Sequence, residues 1–363
     1  MNNRQKIRLL IFSPTLQCGG SEKFVSLLCN NINTTIFSVR LVVLDNSKTF
    51  YKITNPGVEV INLHESSVRF TLLKLKKQVK ALEPDVIFTT ANHLNLYFSI
   101  FRWVFPKKIK FVARESSIVS INSKNAKMPL LYDALIKKYY CRFDHIICQS
   151  TYMQHDLCKN YNVPENKTTI LHNATVTNLK NGKTLPDNDS TRLYKFITVG
   201  RLSPEKGIER IIHAVGLLSV PFKYYIIGEG TNRNILEKLI LELHLQDNVF
   251  LVGEKPDPYS GMENADLFLM GSYYEGFPNV LLEAGALGIP IIAFDAPGGV
   301  NEIIDEGKNG LMVDDNDIIG FAAAIKRALT ENFNRMQIIE TTQLRFSINK
   351  MINVIEQLFT KLV

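Results

Sequence analysis

The sequence contains few cysteines and none in a metal-binding or disulfide arrangement. The 363 residues include five cysteines, an odd number, and no Cys-x-x-Cys pair. Neither a disulfide framework nor a zinc site is therefore indicated. The seven histidines form no His-Glu-x-x-His cluster, and we expect no metal ion and no cofactor. This cysteine usage suits a reducing compartment, which predicts a cytoplasmic protein.

The chain also lacks a long apolar run. The longest candidate, Asn95 to Phe105, is too short to span a bilayer and contains Arg102. Near the start of the chain, Leu9 to Phe12 is shorter than the apolar part of a signal peptide and runs into Pro14. With 45% hydrophobic residues, the composition is that of a globular protein, and the length favours two domains.

Basic residues are concentrated in the first half. Residues 1–185 contain 26 Lys and Arg against 11 Asp and Glu, whereas the remainder contains 16 against 24. The sequence contains no basic platform interleaved with aromatic residues, so nucleic-acid binding is not indicated. Attraction to anionic lipid headgroups or lipid-diphosphate acceptors fits better, and solvated helix faces are the alternative. The basic clusters are Lys74, Lys76, Lys77 and Lys80; Lys107, Lys108 and Lys110; and Lys137, Lys138 and Arg142.

Apolar strand-like runs alternate with helical patterns along the whole chain, which predicts parallel sheets built from βαβ units. The polar stretch Asn173 to Thr191 suits a linker, and Ile348 to Leu362 has the apolar spacing of an amphipathic helix. We expect an α/β protein with domains at 1–185 and 186–345 and a final helix at 346–363. The predicted strands are Ile7 to Phe12, Val39 to Leu44, Val86 to Thr90, Ile109 to Ala113, His145 to Gln149, Tyr194 to Val199, Lys223 to Ile227, Val249 to Val252, Leu267 to Met270 and Pro290 to Phe294.

The segment from Glu275 to Glu283 combines two carboxylates with a Gly-Phe-Pro turn. Glu275 precedes the turn, and Glu283 lies two helical turns later, so the segment offers free backbone N–H groups beside a carboxylate. Such an arrangement can bind an anion and hydroxyl groups. The spacing alone is weak evidence, because Glu229 and Glu237 repeat it.

A second segment, Val199 to Gly207, follows the first predicted strand of the second half. Gly200 permits a turn, and Arg201 and Lys206 bring two cations to one strand end. A guanidinium and an ammonium there can stabilise the charge of a diphosphate leaving group without a metal.

Together these segments resemble the retaining nucleotide-sugar glycosyltransferases of family GT4. The resemblance implies a GT-B fold, in which two Rossmann-like domains face a cleft and a final helix crosses back to the first. It implies that Glu275 holds the donor sugar, Glu283 the ribose, and Arg201 and Lys206 the phosphates. The further residues it assigns to donor binding are Gly19, Gly20, Gly200, Gly228, Gly253, Gly276, Phe277, Pro278, Asn279, Val280 and Leu281.

The first half departs from part of that family. Several members carry a His after the strand that corresponds to Lys110 to Ala113, whereas this sequence continues with Arg114 and Glu115. These two residues, together with His93, are therefore the candidates for binding the acceptor. Gly19 and Gly20 open a helix after the first strand, which suits either a phosphate approach or a plain tight turn.

Two Asp-x-Asp matches could suggest a metal-dependent glycosyltransferase. The match at Asp187 to Asp189 lies in the linker, and the match at Asp315 to Asp317 precedes a helical pattern that such residues cap. We therefore expect neither to bind a metal.

The resemblance implies a hexosyltransferase that acts in bacterial surface polysaccharide or lipopolysaccharide synthesis, with a lipid-linked or growing glycan as acceptor. The segment Ala296 to Glu302 resembles those of enzymes that use UDP-N-acetylhexosamines, ahead of UDP-hexose or GDP-mannose. The basic first half then predicts peripheral attachment to the inner face of the cell membrane. The alternatives are a sugar-nucleotide epimerase of the same fold and a non-catalytic glycan- or lipid-binding protein.

Overall fold

The computed structural model describes residues 6–65, 68, 71–175, 192–255, 261–331 and 333–363. These residues form two compact units, each built on one sheet. The first unit comprises the residues up to Ala174 together with Ile348–Val363, and the second runs from Thr175 to Ser347. Most of the predicted linker and the Asp187 to Asp189 match lie outside the described residues.

The sheet of the first unit has seven strands in the order β3-β2-β1-β4-β5-β6-β7, and all neighbours are parallel. Strands covered on both faces by helices become continuous apolar runs, which is why β1, β4 and β6 are almost entirely buried. The strands are β1 Ile7–Ser13, β2 Phe37–Val43, β3 Val58–Asn62, β4 Val86–Thr89, β5 Lys110–Arg114, β6 His145–Cys148 and β7 Thr168–Ile170. The helices that connect them are α1 Gly20–Asn31, α2 Leu72–Leu82, α3 Asn92–Ile100, α4 Val119–Lys124, α5 Pro129–Tyr139 and α6 Thr151–Tyr161.

The second unit repeats this pattern with six parallel strands in the order β10-β9-β8-β11-β12-β13. Its core lies on both faces of the sheet. The strands are β8 Tyr194–Val199, β9 Phe222–Ile227, β10 Val249–Gly253, β11 Leu267–Met270, β12 Ile291–Phe294 and β13 Gly310–Val313. The helices are α7 Ile208–Val215, α8 Arg233–Glu242, α9 Asn279–Ala286, α10 Ile318–Thr330 and α11 Arg335–Arg345.

The last helix, α12 Ile348–Leu362, packs in the core of the first unit. Its apolar stripe includes Ile355 and Phe359, which are completely buried there. The Phe359 ring lies edge-on to the rings of Phe37 and Phe88, at centroid distances of 6.4 and 5.5 Å. The helical spacing that predicted this element is therefore the spacing of a core-facing stripe.

All ten strands predicted from the sequence are present, and three further strands among the described residues were missed. The missed strands are β3, β7 and β13. In both sheets the strand order reverses next to the first strand, where β1 neighbours β4 and β8 neighbours β11. Among the residues that the structure describes, every helix is too short or too polar to cross a bilayer.

Candidate functional site

The predicted site residues follow the carboxyl ends of strands in both units. Open parallel sheets bind ligands outside these ends, where the strand order reverses. In the second unit the reversal lies between β8, which ends at Val199, and β11, which ends at Met270. The loops after these two strands carry Arg201, Lys206 and Glu275.

Lys206 and Glu275 meet although 69 residues separate them. The Lys206 Nζ donates a hydrogen bond of 2.6 Å to Glu275 Oε1, and the Ser272 Oγ donates a second bond of 2.6 Å to the same oxygen. Both charged side chains are largely buried, with 23% and 12% of the side chain exposed. A partly buried, charge-assisted pair is more strongly ordered than a surface ion pair.

A close backbone contact brings the two loops together. Gly207 has φ +53°, and a Cβ at this position would lie 2.0 Å from the Gly271 carbonyl oxygen. A side chain at Gly271 would in turn lie 2.2 Å from the Gly207 carbonyl oxygen. Only glycine at both positions lets the loops approach this closely.

A third loop, after β12, holds the backbone of Glu275. The Glu275 N–H donates to the Pro297 carbonyl at 2.9 Å. Gly298 has φ +125°, and a Cβ there would lie 1.5 Å from the Glu275 carbonyl oxygen. The segment Ala296 to Glu302, which the sequence resemblance tied to the donor, thus begins by packing against the first glutamate.

Helix α9 begins directly after the Gly276–Pro278 turn, at Asn279. The Phe277 side chain is buried and packs edge-on against Phe346 at 5.7 Å between ring centroids. The first N–H groups of a helix carry a partial positive charge. The turn therefore leaves the backbone N–H groups of Asn279 and Val280 at the start of the helix, where they can interact with an anion, whereas the Leu281 N–H donates to the Pro278 carbonyl at 3.2 Å. Glu283 lies in the same helix and is buried.

Arg201 lies in the same loop as Lys206 but remains on the surface. Its side chain is 77% exposed and forms an ion pair of 3.2 Å with Glu205. Exposed pairs of this kind contribute little free energy. The guanidinium can therefore reorient toward an anionic ligand at small cost.

Three glycines follow neighbouring strands of the second sheet. Gly228 has φ +146°, and a Cβ there would lie 1.9 Å from the Gly200 carbonyl oxygen. Its N–H donates to the Gly253 carbonyl at 2.9 Å, and Gly253 has φ +86°. Gly200 differs, because a Cβ added to it would have nothing within 4 Å. Backbone geometry explains glycine at 228 and 253, whereas Gly200 borders open space.

In the first unit, Gly19 and Gly20 begin α1 after β1. A side chain at Gly19 would lie 2.3 Å from Glu22 Oε2, and the Ser21 Oγ donates to the Thr90 carbonyl at 3.3 Å. This turn therefore lies where the strand order reverses between β1 and β4. His93 follows β4 near the start of α3, and it is exposed.

Arg114, the last residue of β5, is completely buried. Its guanidinium lies 3.8 Å from the ring centroid of Phe24 and donates to Asn173 Oδ1 at 2.5 Å. Its Nε and Nη1 have no hydrogen-bond partner among the described residues. Burial lowers the pKa of Arg114 to about 9, although the nearby Glu115 and Glu22 carboxylates favour the charged form.

Glu115 is also completely buried, on the other face of the sheet. Its Oε1 accepts hydrogen bonds from Asn95 Nδ2 at 2.7 Å and from the Tyr140 hydroxyl at 3.0 Å. Its Oε2 has no partner in the described part of the chain. Burial raises the pKa of Glu115 to about 7, although the two hydrogen bonds favour the charged form and lower the pKa.

The structure therefore separates the three residues predicted to bind the acceptor. Arg114 and Glu115 are consecutive along an extended chain and point to opposite faces of the sheet. Neither side chain is exposed, so neither presents its charge to solvent in this conformation. Of the three, His93 alone lies at the surface. Their role in acceptor binding stays a prediction.

The Asp315 to Asp317 match has structural roles. The Asp317 carboxylate accepts from the Gly320 N–H and caps α10, as predicted. Asp315 forms an ion pair of 2.6 Å with Arg210. Within the described ranges, no three His, Cys, Asp or Glu side chains come together as a metal site would need.

Sequence reasoning missed Ser272 and Arg210. Ser272 is buried and shares an oxygen of Glu275 with Lys206. Arg210 donates to the carbonyls of Gly271 and Ser272. A serine three residues before a glutamate carries no recognisable signal, and an arginine in an apolar helix resembles any surface charge until its contacts are known.

Family models match both parts of the chain. The model described as "Glycosyl transferases group 1" matches residues 186–345, and the model described as "Glycosyltransferase Family 4" matches residues 18–179. A relative in Campylobacter jejuni is 31% identical over 325 residues, which cover 86% of this chain and 87% of that protein. It is named N-acetylgalactosamine-N,N'-diacetylbacillosaminyl-diphospho-undecaprenol 4-alpha-N-acetylgalactosaminyltransferase.

Solved structures share the fold over nearly the whole chain. The lipopolysaccharide outer core galactosyltransferase WaaB superposes with a TM-score of 0.78 at 18% identity, covering 98% of this chain and 99% of that one. Anabaena HepE, solved with UDP and glucose, gives a TM-score of 0.76 at 18% identity and covers 98% and 100%.

The protein is therefore a glycosyltransferase with the GT-B fold. More closely, the chain belongs to the group 1 glycosyltransferases of the family 4 type, as the sequence resemblance implied.

The pKa of Glu115 predicts how stability responds to pH. Between the usual value of 4.5 and about 7, the folded chain retains the Glu115 proton while the unfolded chain releases it. The contribution of this group to the free energy of unfolding is therefore fully present below pH 4.5 and is lost as pH rises through 7. Glu115→Gln mimics the protonated form, so the stability of the variant relative to the parent should rise between pH 4.5 and about 7 and stay constant above that range.

Urea unfolding followed by fluorescence measures this difference. The single tryptophan, Trp103, lies in the same unit as Glu115 but is 76% exposed in the folded chain, so far-UV circular dichroism is recorded beside its emission. A difference between variant and parent that stays constant with pH would contradict the raised pKa.

Proposed function

We propose that the protein is a retaining, metal-independent glycosyltransferase that transfers a sugar from a nucleoside-diphosphate donor to a lipid-linked or growing surface glycan. The observation that carries the proposal is the Lys206–Glu275 pair at the strand-order reversal of the second sheet. It joins a cation suited to phosphate and a carboxylate suited to sugar hydroxyls within one hydrogen bond.

Each group has a distinct role in this proposal. Lys206 and Arg201 neutralise the diphosphate, and the first N–H groups of α9 add to them. Glu275 orients the hydroxyls of the donor sugar, and Glu283 binds the ribose. The acceptor oxygen bonds to the anomeric carbon as the bond from that carbon to the phosphate oxygen breaks. The acceptor proton passes to the leaving phosphate on the same face of the sugar.

Two similarities support the choice of substrates. The Campylobacter jejuni relative is named for N-acetylgalactosamine transfer to a diphospho-undecaprenol-linked sugar. HepE was solved with UDP. The leading donor is therefore UDP-N-acetylgalactosamine or UDP-N-acetylglucosamine, and a lipid-linked glycan of bacterial surface polysaccharide is the leading acceptor.

Replacing Glu275 tests the central assignment. Purified protein is incubated with labelled UDP- and GDP-sugars, with and without lipid-linked glycan, in the presence and absence of EDTA. Transfer should require the glycan and survive EDTA, and Glu275→Gln should lower kcat by about 10²-fold, the effect of removing one preorganised group that stabilises a transition state.

Glu237→Gln is the matched control. Glu237 belongs to the pair with identical spacing but lies on the surface, beside Arg233, so its loss should leave kcat unchanged. Interconversion of free UDP-sugars without acceptor would indicate an epimerase. Full transfer by Glu275→Gln with an intact fold would remove the assignment.

Gly200 and Gly228 provide a second test at the phosphate end. In Gly200→Ala the new methyl group meets no protein atom, so the thermal midpoint should hold, while donor KM rises because the methyl group occupies the space proposed for the phosphates. In Gly228→Ala the methyl group meets the Gly200 carbonyl and φ is positive, which should destabilise the fold by about 1–3 kcal/mol. Calorimetry and donor titration measure both effects. Unchanged donor binding by Gly200→Ala would place the phosphates elsewhere.

The first unit presents features that suit an anionic membrane surface. Helix α2 contains four lysines and no acidic residue, and Leu73 at its start is 81% exposed. Trp103 and Leu130 are 76% and 88% exposed. Helix α3 packs against both the turn that carries Trp103 and the helix that carries Leu130. Apolar side chains flanked by lysines are typical of surfaces that insert shallowly into anionic lipid. The proposal therefore places the protein on the cytoplasmic face of the membrane.

Vesicle sedimentation tests this surface. Binding to vesicles that contain phosphatidylglycerol should exceed binding to pure phosphatidylcholine. Neutralising Lys76, Lys77 and Lys80 to Gln should weaken it strongly, since each lysine near an anionic surface contributes about 1 kcal/mol. The control neutralises three exposed lysines of the second unit, namely Lys238, Lys255 and Lys326. Equal losses in both triple variants would show only a dependence on net charge.

A further inference from the structure

Arg210 is a buried cation that is hydrogen-bonded to the loop leading to Glu275. It lies in α7 and is only 3% exposed. Its Nε donates to the Gly271 carbonyl at 2.6 Å, and its Nη2 donates to the Ser272 carbonyl at 2.6 Å. One planar group thus fixes two successive carbonyls at the point where the chain leaves β11.

The remaining surfaces of the guanidinium are also occupied. It lies 4.1 Å from the ring centroid of Tyr273 and 3.9 Å from that of Phe294. Its Nη1 donates to Asp315 Oδ1 at 2.6 Å. A buried cation is costly unless it is paired and hydrogen-bonded, and here both conditions are met. Its orientation is therefore determined by contacts in several directions.

The loop to which Arg210 is hydrogen-bonded also positions the Glu275 carboxylate. Ser272 accepts from Arg210 through its carbonyl and donates its hydroxyl to Glu275 Oε1. Between them, the Tyr273 N–H donates to the Glu205 carbonyl at 2.9 Å. The distance from the guanidinium to the carboxylate is thus bridged by one residue, Ser272, whose backbone and side chain are both engaged.

We propose that Arg210 is a positioning residue for the transfer reaction: it holds the Gly271–Glu275 loop in the conformation that presents the Glu275 carboxylate, and Asp315 holds Arg210 in turn. The inference rests on the role of Glu275 in the proposed function. It also gives the Asp315 to Asp317 motif a purpose, because one aspartate anchors Arg210 and the other caps α10.

A lysine cannot replace this group. An ammonium can pair with Asp315, but it lacks the planar fork that reaches two carbonyls and an acid at once. Arg210→Lys therefore retains the charge and loses the geometry. A role limited to charge balance predicts that lysine suffices, whereas positioning predicts that it does not.

Hydrogen exchange measures how often the loop opens, and it needs no substrate. Arg210→Met and Arg210→Lys should each speed exchange at the amides of Tyr273 and Glu275 by about tenfold or more, through local opening. Exchange in α10 should stay as in the parent. The control is Arg233→Met, which removes an arginine from surface ion pairs in the same unit. Faster exchange throughout the unit would indicate a merely structural residue, and unchanged exchange in the loop would overturn the proposal.

Kinetics then distinguish this inference from the proposed function. Arg210→Lys should lower kcat by about tenfold or more, because misplacing a reacting group by about 1 Å can cost as much as about 10²-fold, while UDP binding stays near that of the parent. The double variant with Glu275→Gln should be no slower than Glu275→Gln alone. An active Glu275→Gln contradicts the proposed function. An inactive Glu275→Gln beside a fully active Arg210→Lys contradicts the role of Arg210.

If Arg210→Met does not fold, Asp315→Asn supplies the same tests. That variant keeps the carbonyl hydrogen bonds of Arg210 and removes its counter-charge, so it should change loop exchange and kcat in the same direction by less. No change in either measurement would overturn the role assigned to Asp315.

Discussion

The close approach of Gly207 and Gly271 is the constraint on which the site depends. A Cβ at either glycine would lie 2.0 or 2.2 Å from the carbonyl oxygen of the other, so no side chain fits at either position. This contact joins the loop after β8 to the loop after β11, and it places Lys206 beside Glu275. Arg210 then fixes the carbonyls on one side of the contact, and Gly298 packs against Glu275 on the other. The placement of the pair thus rests on backbone geometry, and its chemistry on the two charges.

The charged residues of the two units differ in exposure and in pairing. In the second unit Lys206 and Glu275 pair with each other and remain partly accessible. In the first unit Arg114 and Glu115 are sealed on opposite faces of the sheet, each with polar atoms that lack a partner in the described residues. Burial accordingly shifts the pKa of each toward its neutral form. Adjacent residues in sequence need not belong to one site when the chain is extended.

Much of the fold could be predicted because its central strands are continuous apolar runs. The strands that were missed lack this signal: Val58–Asn62 is half exposed at a sheet edge, Thr168–Ile170 has three residues, and Gly310–Val313 begins with glycine. For the site, local motifs indicated Lys206 and Glu275 separately. Their pairing, and the contributions of Ser272 and Arg210, depend on contacts between distant loops, which no single-sequence pattern encodes.

The two pairs of glutamates have equal spacing but different surroundings, which the spacing alone does not determine. Glu229 and Glu237 are each four residues from Arg233, and both form ion pairs with it on the surface. Glu229 lies in the turn before α8 and Glu237 lies within that helix, so equal spacing there brings two carboxylates to one surface arginine. Glu275 and Glu283 have the same separation, but the first follows a central strand and the second is buried in the next helix. No residue midway between them carries a charge, since that position is Asn279. Glu275 pairs instead with Lys206 and Ser272, which come from loops after two different strands.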